Sequence, residues 1–172
     1  PQTVNGRIEG PGDVDVFRFH ARAGDQVVAE VYARRLGSPL DSLLSITDGA
    51  GRKIATNDDH DDREAGLLAH QADSYVACAI EQDGPYYVWV ADAEGHGGPE
   101  YSYRLRVGAP RPDFALRMTP SSLAVAAGHT GVVTVHALRK DGFAGDIDVS
   151  LRSAPEGLVL SGGRIPAGRD RV

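Results

Sequence analysis

The acidic segment 57–64 is the part of this 172-residue chain whose residue types are best suited to bind a metal ion, with five carboxylates in seven positions from Asp58 to Glu64. Ca²⁺ takes roughly six to eight oxygen ligands from carboxylates, carbonyls and water in a flexible geometry. Asp41, which precedes another predicted strand, could approach from a neighbouring loop. The segment itself contributes the candidate calcium ligands Asn57, Asp58, Asp59, Asp61 and Asp62.

Two interpretations of this segment stay open. The spacing does not match an EF-hand, because the sixth loop position carries no glycine and the twelfth no glutamate. The alternative to a calcium site is a solvated acidic loop, whose repulsion salt screens over about 8 to 10 Å. The sequence therefore predicts either bound calcium or a hydrated loop after a β-hairpin.

Three aromatic residues are candidates for ligand binding. Tyr87 and Trp89 alternate with Val88 and Val90, so they should point away from the core if the valines point into it. Tyr75 should likewise point away from the core on its own strand. We expect either an exposed platform of Tyr75, Tyr87 and Trp89 for a sugar ring or an extended peptide, or Tyr87 and Trp89 covered by the second domain or by long side chains.

Motifs of catalytic sites are missing from the sequence. The six histidines show no HExxH spacing, and the single cysteine, Cys78, excludes an intrachain disulfide and sits in an apolar strand. No serine occupies a GxSxG elbow, and no glycine run opens a helix as a phosphate-binding loop would. We therefore expect a non-catalytic protein, with a fragment of a secreted hydrolase as a distant alternative.

Short alternating segments separated by turn residues predict the elements that position these side chains. The 21 glycines and 10 prolines are spread through the chain and argue against long helices. Val14 and Val16 are out of phase with Phe17 and Phe19, which suggests a β-bulge. Strands are predicted at 13–21, 26–32, 43–47, 53–56, 75–80, 86–91, 101–107, 114–118, 123–126, 130–138 and 147–151.

The charge distribution narrows the choice of partners. Residues 1–108 contain 18 acidic and 10 basic side chains, whereas residues 109–172 contain 6 and 8. An acidic first half without a basic stripe does not suit nucleic acid or anionic lipid. No apolar run approaches the roughly 20 residues that span a bilayer. We expect neither nucleic-acid binding nor membrane insertion, and any export signal should lie upstream of Pro1.

A proline-containing segment at 109–112 falls where the charge balance changes, and it predicts a linker. The predicted domains are therefore 1–108 and 113–172. An immunoglobulin-like sandwich needs about 100 residues. The second domain is thus expected to be only the first part of such a sandwich. The predicted fold class of the chain is all-β: an antiparallel, jelly-roll-like β-sandwich followed by a partial immunoglobulin-like β-sandwich.

An ordered set of short motifs resembles the bacterial pre-peptidase C-terminal domain over residues 6–107. The matching pieces are Gly12 to Phe17, Ala23 to Asp25, Asp41 to Gly51, Ile54 to Asp59 and Asp83 to Val90. The segments 95–105 and 112–116 resemble a variant from large exported proteins of planctomycete-like bacteria, in which an immunoglobulin-like domain follows.

The resemblance implies a secreted, cell-surface or periplasmic bacterial protein. The expected function is that of a non-catalytic accessory module that attaches a larger exported protein to an extracellular substrate or to the cell surface. The expected partners are a polysaccharide or an extended peptide, together with other domains of the parent protein. The alternative is a purely structural spacer stiffened by calcium.

Overall fold

Twelve β-strands carry the regular structure of the computed structural model, which describes residues 2–59 and 73–172. A 3-10 turn occupies Arg34–Leu36, and no helix of the described part is long and apolar enough to cross a membrane. The strands are β1 Gln2–Arg7, β2 Val14–Ala21, β3 Gln26–Tyr32, β4 Ser42–Asp48, β5 Lys53–Asn57, β6 Tyr75–Ala79, β7 Gly84–Asp92, β8 Ser102–Gly108, β9 Asp113–Thr119, β10 Thr134–Lys140, β11 Ile147–Asp148 and β12 Arg164–Ile165.

The chain divides into two compact units between Pro110 and Arg111. In the first unit, sheet 1 has the strand order β1-β8-β3-β6 and sheet 2 has the order β2-β7-β4-β5. All neighbouring strands are antiparallel. The predicted all-β class and antiparallel β-sandwich are thus confirmed.

Aliphatic side chains from both sheets form one core in the first unit. Val27, Val31 and Leu105 come from sheet 1, and Leu44 and Val88 come from sheet 2. In each strand the core side chains occupy alternate positions, as is expected when one face of a sheet packs against the core. Burial of this apolar surface is the main stabilising contribution to the sandwich.

The predicted bulge at Val16 and Phe17 is wrong. β2 pairs with β7 from Val14 to Ala21 without a register shift. Val14 and Val16 lie on the outer face, and Asp15 points inward in phase with Phe17 and Phe19. Its carboxylate accepts a hydrogen bond from the Tyr103 hydroxyl, so a buried polar group is satisfied across the core.

The second unit contains the pairs β9-β10 and β11-β12 around a small core of Val135, Ala137, Ile147 and Ile165. The predicted strand at 123–126 is absent from this described part, and the one predicted at 130–138 begins only at Thr134. The strand predicted at 147–151 ends at Asp148. The immunoglobulin-like assignment of residues 113–172 stays a prediction.

Candidate functional site

The end of the sandwich at β5 carries the part of the acidic segment that the structure describes. Asn57 ends β5, and its Oδ1 accepts a hydrogen bond from the Tyr75 backbone N–H at 3.2 Å. The Asp58 Oδ1 accepts from the Asp59 backbone N–H at 3.1 Å. Asp61 and Asp62 lie outside the described residues. The amide oxygen of Asn57 therefore links β5 of sheet 2 to β6 of sheet 1 at this end.

Asp41 lies near the same end, ahead of β4. Partial burial raises the pKa of its carboxyl group, and the negative charges of Asp59, Asp92 and Glu94 raise it further, against the opposing effect of Arg34. Asp41 and Asp59 are therefore close enough to repel each other. Among the described histidine, cysteine, aspartate and glutamate side chains, no group of three has an arrangement suited to a metal ion. The calcium site stays a prediction.

One of the carboxylates near Asp41, that of Asp92, has a structural role. Its side chain accepts hydrogen bonds from the backbone N–H groups of Asp41, Glu94 and His96, at 2.9 to 3.1 Å. The residue is only 7% exposed. A buried carboxylate with three such donors holds the loop after β7 against the start of β4.

The predicted platform of Tyr75, Tyr87 and Trp89 is not formed by these three residues together. Tyr75 lies in β6 of sheet 1, whereas Tyr87 and Trp89 lie in β7 of sheet 2. The side-chain alternation identified the outward positions of each strand. It could not identify the sheet to which each strand belongs.

Tyr87 and Trp89 instead share the outer face of sheet 2 with two valines. Val16 is the partner of Trp89 in the β2-β7 register, and Val14 is two positions away on the same face. Trp89 is 38% exposed, Val14 44% and Val16 45%. The Trp89 Nε1 donates a hydrogen bond to the Thr47 hydroxyl at 3.0 Å, which fixes the indole ring. We call the surface of Val14, Val16, Tyr87 and Trp89 the aromatic face.

The outer face of sheet 1 has a different chemistry. Glu30 of β3 is 8% exposed and pairs with Arg106 of β8 at 2.9 Å and with Arg35 at 3.1 Å. The Tyr32 hydroxyl also donates to Glu30. Arg35 stacks over the Tyr32 ring, with 4.0 Å between its guanidinium carbon and the ring centroid. The carboxylate is thus neutralised beneath a layer of arginine and tyrosine side chains.

Asp73 connects this arrangement to the 3-10 turn. It is 3% exposed and accepts hydrogen bonds from the backbone N–H groups of Ala33, Arg34 and Arg35. Its Oδ2 also lies 2.6 Å from the Arg35 Nε. We call Glu30, Tyr32, Arg35, Asp73 and Arg106 the ion network. Sequence analysis did not identify it, because its members come from β3, the 3-10 turn, β8 and the residues before β6.

Two adjoining cavities lie beside the ion network. One, of about 420 Å³, is lined by residues that include Ser38, Glu100 and Ser102. The other, of about 400 Å³, is lined by residues that include Thr3, Tyr32 and Arg106. Both are lined by Asn5, Leu36 and Arg104. We call the two together the sheet 1 groove.

Comparison with known proteins gives a family match for the first unit. Residues 13–92 match the model of the bacterial pre-peptidase C-terminal domain. A probable subtilase-type serine protease of Deinococcus radiodurans is 38% identical over 82 residues, which is 47% of this chain and 10% of the protease. The chain thus spans about a tenth of that relative's length.

A solved structure is also similar. It is the crystal structure of the pre-peptidase C-terminal domain of a collagenase from Bacillus anthracis, with a TM-score of 0.45 and 17% identity over 62% of this chain and 88% of that one. Domains of this family are typically C-terminal modules of secreted proteases, separate from the catalytic part, which points to an exported protein. Residues 13–92, which contain β2 to β7, are a bacterial pre-peptidase C-terminal domain.

Proposed function

We propose that this chain is a non-catalytic accessory module of a larger exported bacterial protein, and that the aromatic face attaches the parent protein to an extracellular polysaccharide or extended peptide. The observation that carries the proposal is the exposure of Trp89 on a sheet face beside the exposed valines Val14 and Val16. The second unit, residues 111–172, would serve as a spacer toward further domains of the parent. Its immunoglobulin-like character is part of the proposal.

The physical argument rests on the cost of leaving these side chains in water. An indole ring presents a large, rigid apolar surface, and its burial against a sugar ring or a peptide side chain releases hydration water. The hydrogen bond to Thr47 holds the ring in place before a ligand arrives. Little rotamer freedom is then lost on binding, which favours affinity.

An array of glycans and collagen-type peptides tests this proposal. Trp89→Ala should abolish binding to the ligand that the wild-type chain selects, while the thermal midpoint shows that the variant is folded. Tyr75→Ala is the matched control, since Tyr75 is an aromatic residue on sheet 1, and it should leave binding unchanged. If Trp89→Ala lowers the midpoint but retains wild-type binding, the aromatic face has only a structural role.

A spacer stiffened by calcium is the second candidate, and the raised pKa of Asp41 favours it. Carboxylates that repel one another in the folded protein would be relieved by a bound cation. The predicted ligands are Asp41, Asn57, Asp58 and Asp59, with Asp61 and Asp62 of the undescribed segment.

Thermal unfolding in calcium and in chelator tests this second candidate. Calcium at 100 times its dissociation constant should add about 2.7 kcal/mol to the free energy of unfolding. Asp58→Ala and Asp59→Ala should each remove that increase. An unchanged midpoint in millimolar calcium would reject a folded-state site of useful affinity.

The activity of the parent protein is a separate proposal. The resemblance to a probable subtilase-type protease favours an exported hydrolase whose catalytic domain lies outside these 172 residues. The isolated chain should then show no peptidase activity on casein. Hydrolysis by the purified chain, abolished by a substitution within it, would favour the remaining alternative of an unrecognised hydrolase site.

A further inference from the structure

The sheet 1 groove differs from the aromatic face in that its walls carry polar and cationic side chains. The strands β1 and β8 place Asn5 directly opposite Arg104 and Thr3 directly opposite Arg106. Ser38, Glu100 and Ser102 extend the polar lining at the end near Asn5. The groove therefore presents amide, hydroxyl and guanidinium groups, and the carboxylate of Glu100, within two adjoining cavities.

Arg104 is the exposed cation of this groove. Its Nε donates a hydrogen bond to the Asn5 Oδ1 at 3.0 Å, which orients the guanidinium plane. No carboxylate of residues 2–59 or 73–172 forms an ion pair with Arg104. The two terminal nitrogens have no partner among those residues, so they can accept a planar anion in the two-point geometry that guanidinium favours.

The neighbouring arginines are already neutralised. Glu30 holds Arg106 and Arg35, and Asp73 holds Arg35 as well. These pairs hold Arg106, which lines one of the two cavities, without competing for Arg104. Arg104 is thus the unpaired cation of a site that also contains hydroxyl and amide groups and, in the larger cavity, the Glu100 carboxylate. Such a site suits a ligand whose carboxylates are spaced by neutral sugar hydroxyls, so that one carboxylate can reach Arg104 while hydroxyl groups face Glu100.

We propose that the sheet 1 groove binds a carboxylate-bearing polysaccharide, with Arg104 holding the carboxylate of one uronic acid unit. Asn5, Thr3 and Ser102 would exchange hydrogen bonds with ring hydroxyl groups. Leu36, which is 60% exposed, and Tyr32 would contact the apolar face of the sugar ring. This site is independent of the aromatic face, because it lies on the other sheet.

A peptide ligand fits the groove less well. An extended peptide gains much of its affinity by pairing its backbone with an exposed sheet edge. The groove is lined by side chains of β1 and β8 and by residues near the 3-10 turn. Its walls are not formed by the open backbone edge of β1, with which an extended peptide would pair. Separate hydroxyl and amide groups beside a single cation match the alternating hydroxyl and carboxylate groups of an acidic sugar chain.

The acidic character of the first unit does not prevent anion binding at this place. Residues 1–108 have an excess of eight negative charges, but at 0.15 M salt the Debye length is about 8 Å. The local field at Arg104 is therefore set by its close neighbours. We expect the affinity to fall with added salt, since the contact is between exposed charges.

Titration calorimetry of the full 172-residue chain with a galacturonate oligomer tests the proposal, with a neutral glucose oligomer and a poly-glutamate peptide as comparison ligands. The galacturonate oligomer should bind, and Arg104→Gln should weaken binding about tenfold or more, as expected for loss of a charge-assisted hydrogen-bonded pair. Arg18→Gln is the matched control, because Arg18 is an exposed arginine on the outer face of sheet 2. It should leave the affinity unchanged.

The remaining outcomes also decide the question. Equal weakening by Arg18→Gln, or no weakening by Arg104→Gln in a variant with the wild-type thermal midpoint, would overturn the groove as the site. Tighter binding of poly-glutamate would show that the groove takes an acidic peptide instead. Equal binding of the neutral oligomer would overturn the role of the carboxylate. Trp89→Ala should not change galacturonate binding, which keeps this result separate from that of the proposed attachment function.

Discussion

The outer faces of sheet 1 and sheet 2 differ although the inner faces are alike. Both sheets direct aliphatic side chains inward at alternate positions, into one shared core. On the outside, sheet 1 buries Glu30 under arginine and tyrosine side chains, whereas sheet 2 exposes Val14, Val16 and Trp89. The outer face of sheet 1 is thus held together by ion pairs, whereas that of sheet 2 carries an open apolar patch.

The difference shows that outer faces need not be passive solvated surfaces. A buried carboxylate costs several kcal/mol of desolvation unless it is fully paired. The ion network of sheet 1 therefore has to form as a whole, and it gives a rigid wall to the groove. The aromatic face has no such requirement, so its exposed valines, Val14 and Val16, can be changed with little effect on stability and are available to a ligand.

Asp73→Asn should have the largest effect on stability, because it disrupts the ion network that closes sheet 1. The amide would place an N–H₂ group near donors that need an acceptor, namely the Arg35 side chain and three backbone N–H groups. Removal of one partner from a buried charged pair costs about 3 to 5 kcal/mol. Denaturant unfolding monitored by tryptophan fluorescence would measure the loss.

Glu9→Gln is the control for this measurement. Glu9 pairs with Arg7, but the two side chains are 75% and 47% exposed, and surface pairs contribute roughly 0 to 1 kcal/mol. If Asp73→Asn were as mild as Glu9→Gln, the ion network would not hold sheet 1, and the contrast between the two outer faces would disappear.

Tyr103→Phe should have an intermediate effect, because it tests the inner link between the two sheets. The hydroxyl of Tyr103, on β8 of sheet 1, donates to Asp15, on β2 of sheet 2. Its loss would leave the Asp15 carboxylate without this donor, at a cost of about 1 to 3 kcal/mol. Burial and the bond to Asp15 both raise the pKa of the Tyr103 hydroxyl, so the neutral donor form persists at neutral pH.

Tyr101→Phe is the matched control, since the hydroxyl of Tyr101 has no hydrogen-bond partner among the described residues. It should change the free energy of unfolding by less than about 0.5 kcal/mol. Equal effects of the two substitutions would mean that the Tyr103 bond does not stabilise the sandwich. Gly6 supports the importance of this ring position, because a Cβ there would overlap the Tyr103 ring.

Much of the sandwich could be predicted from the sequence, because alternation and turn residues are local signals. Strands β2 to β8 lie close to their predicted positions. β1 was not predicted, since its sequence Gln2–Arg7 contains one aliphatic side chain, Val4, and most of the strand is exposed. The inward orientation of Asp15 was not predicted, because the phase change between Val16 and Phe17 was interpreted as a bulge. Only its partner Tyr103, 88 positions away, makes the inward orientation stable.

The candidate sites were less predictable because they depend on long-range topology. Periodicity showed that Tyr75 and Trp89 point outward, but it could not show that they belong to different sheets. The partners of Glu30 include Arg35, 5 positions away, and Arg106, 76 positions away. Nothing in the sequences of β3 and β8 indicates that Glu30, at an outward position of β3, is buried.

The double substitution Val14→Thr and Val16→Thr should have the smallest effect, since it tests whether the outer face of sheet 2 is open. Threonine has nearly the same shape as valine and is equally suited to a strand, so only the apolar contact is lost. Substitutions at exposed positions of this kind change the free energy of unfolding by about 0.5 kcal/mol or less.

Val88→Thr on the inner face of β7 should instead cost about 1 to 3 kcal/mol, because its hydroxyl would be buried without a partner. Thermal unfolding of the two variants compares the two faces directly. A loss in the double variant as large as that of Val88→Thr would mean that Val14 and Val16 are covered in solution, and the aromatic face would then be unable to receive a ligand.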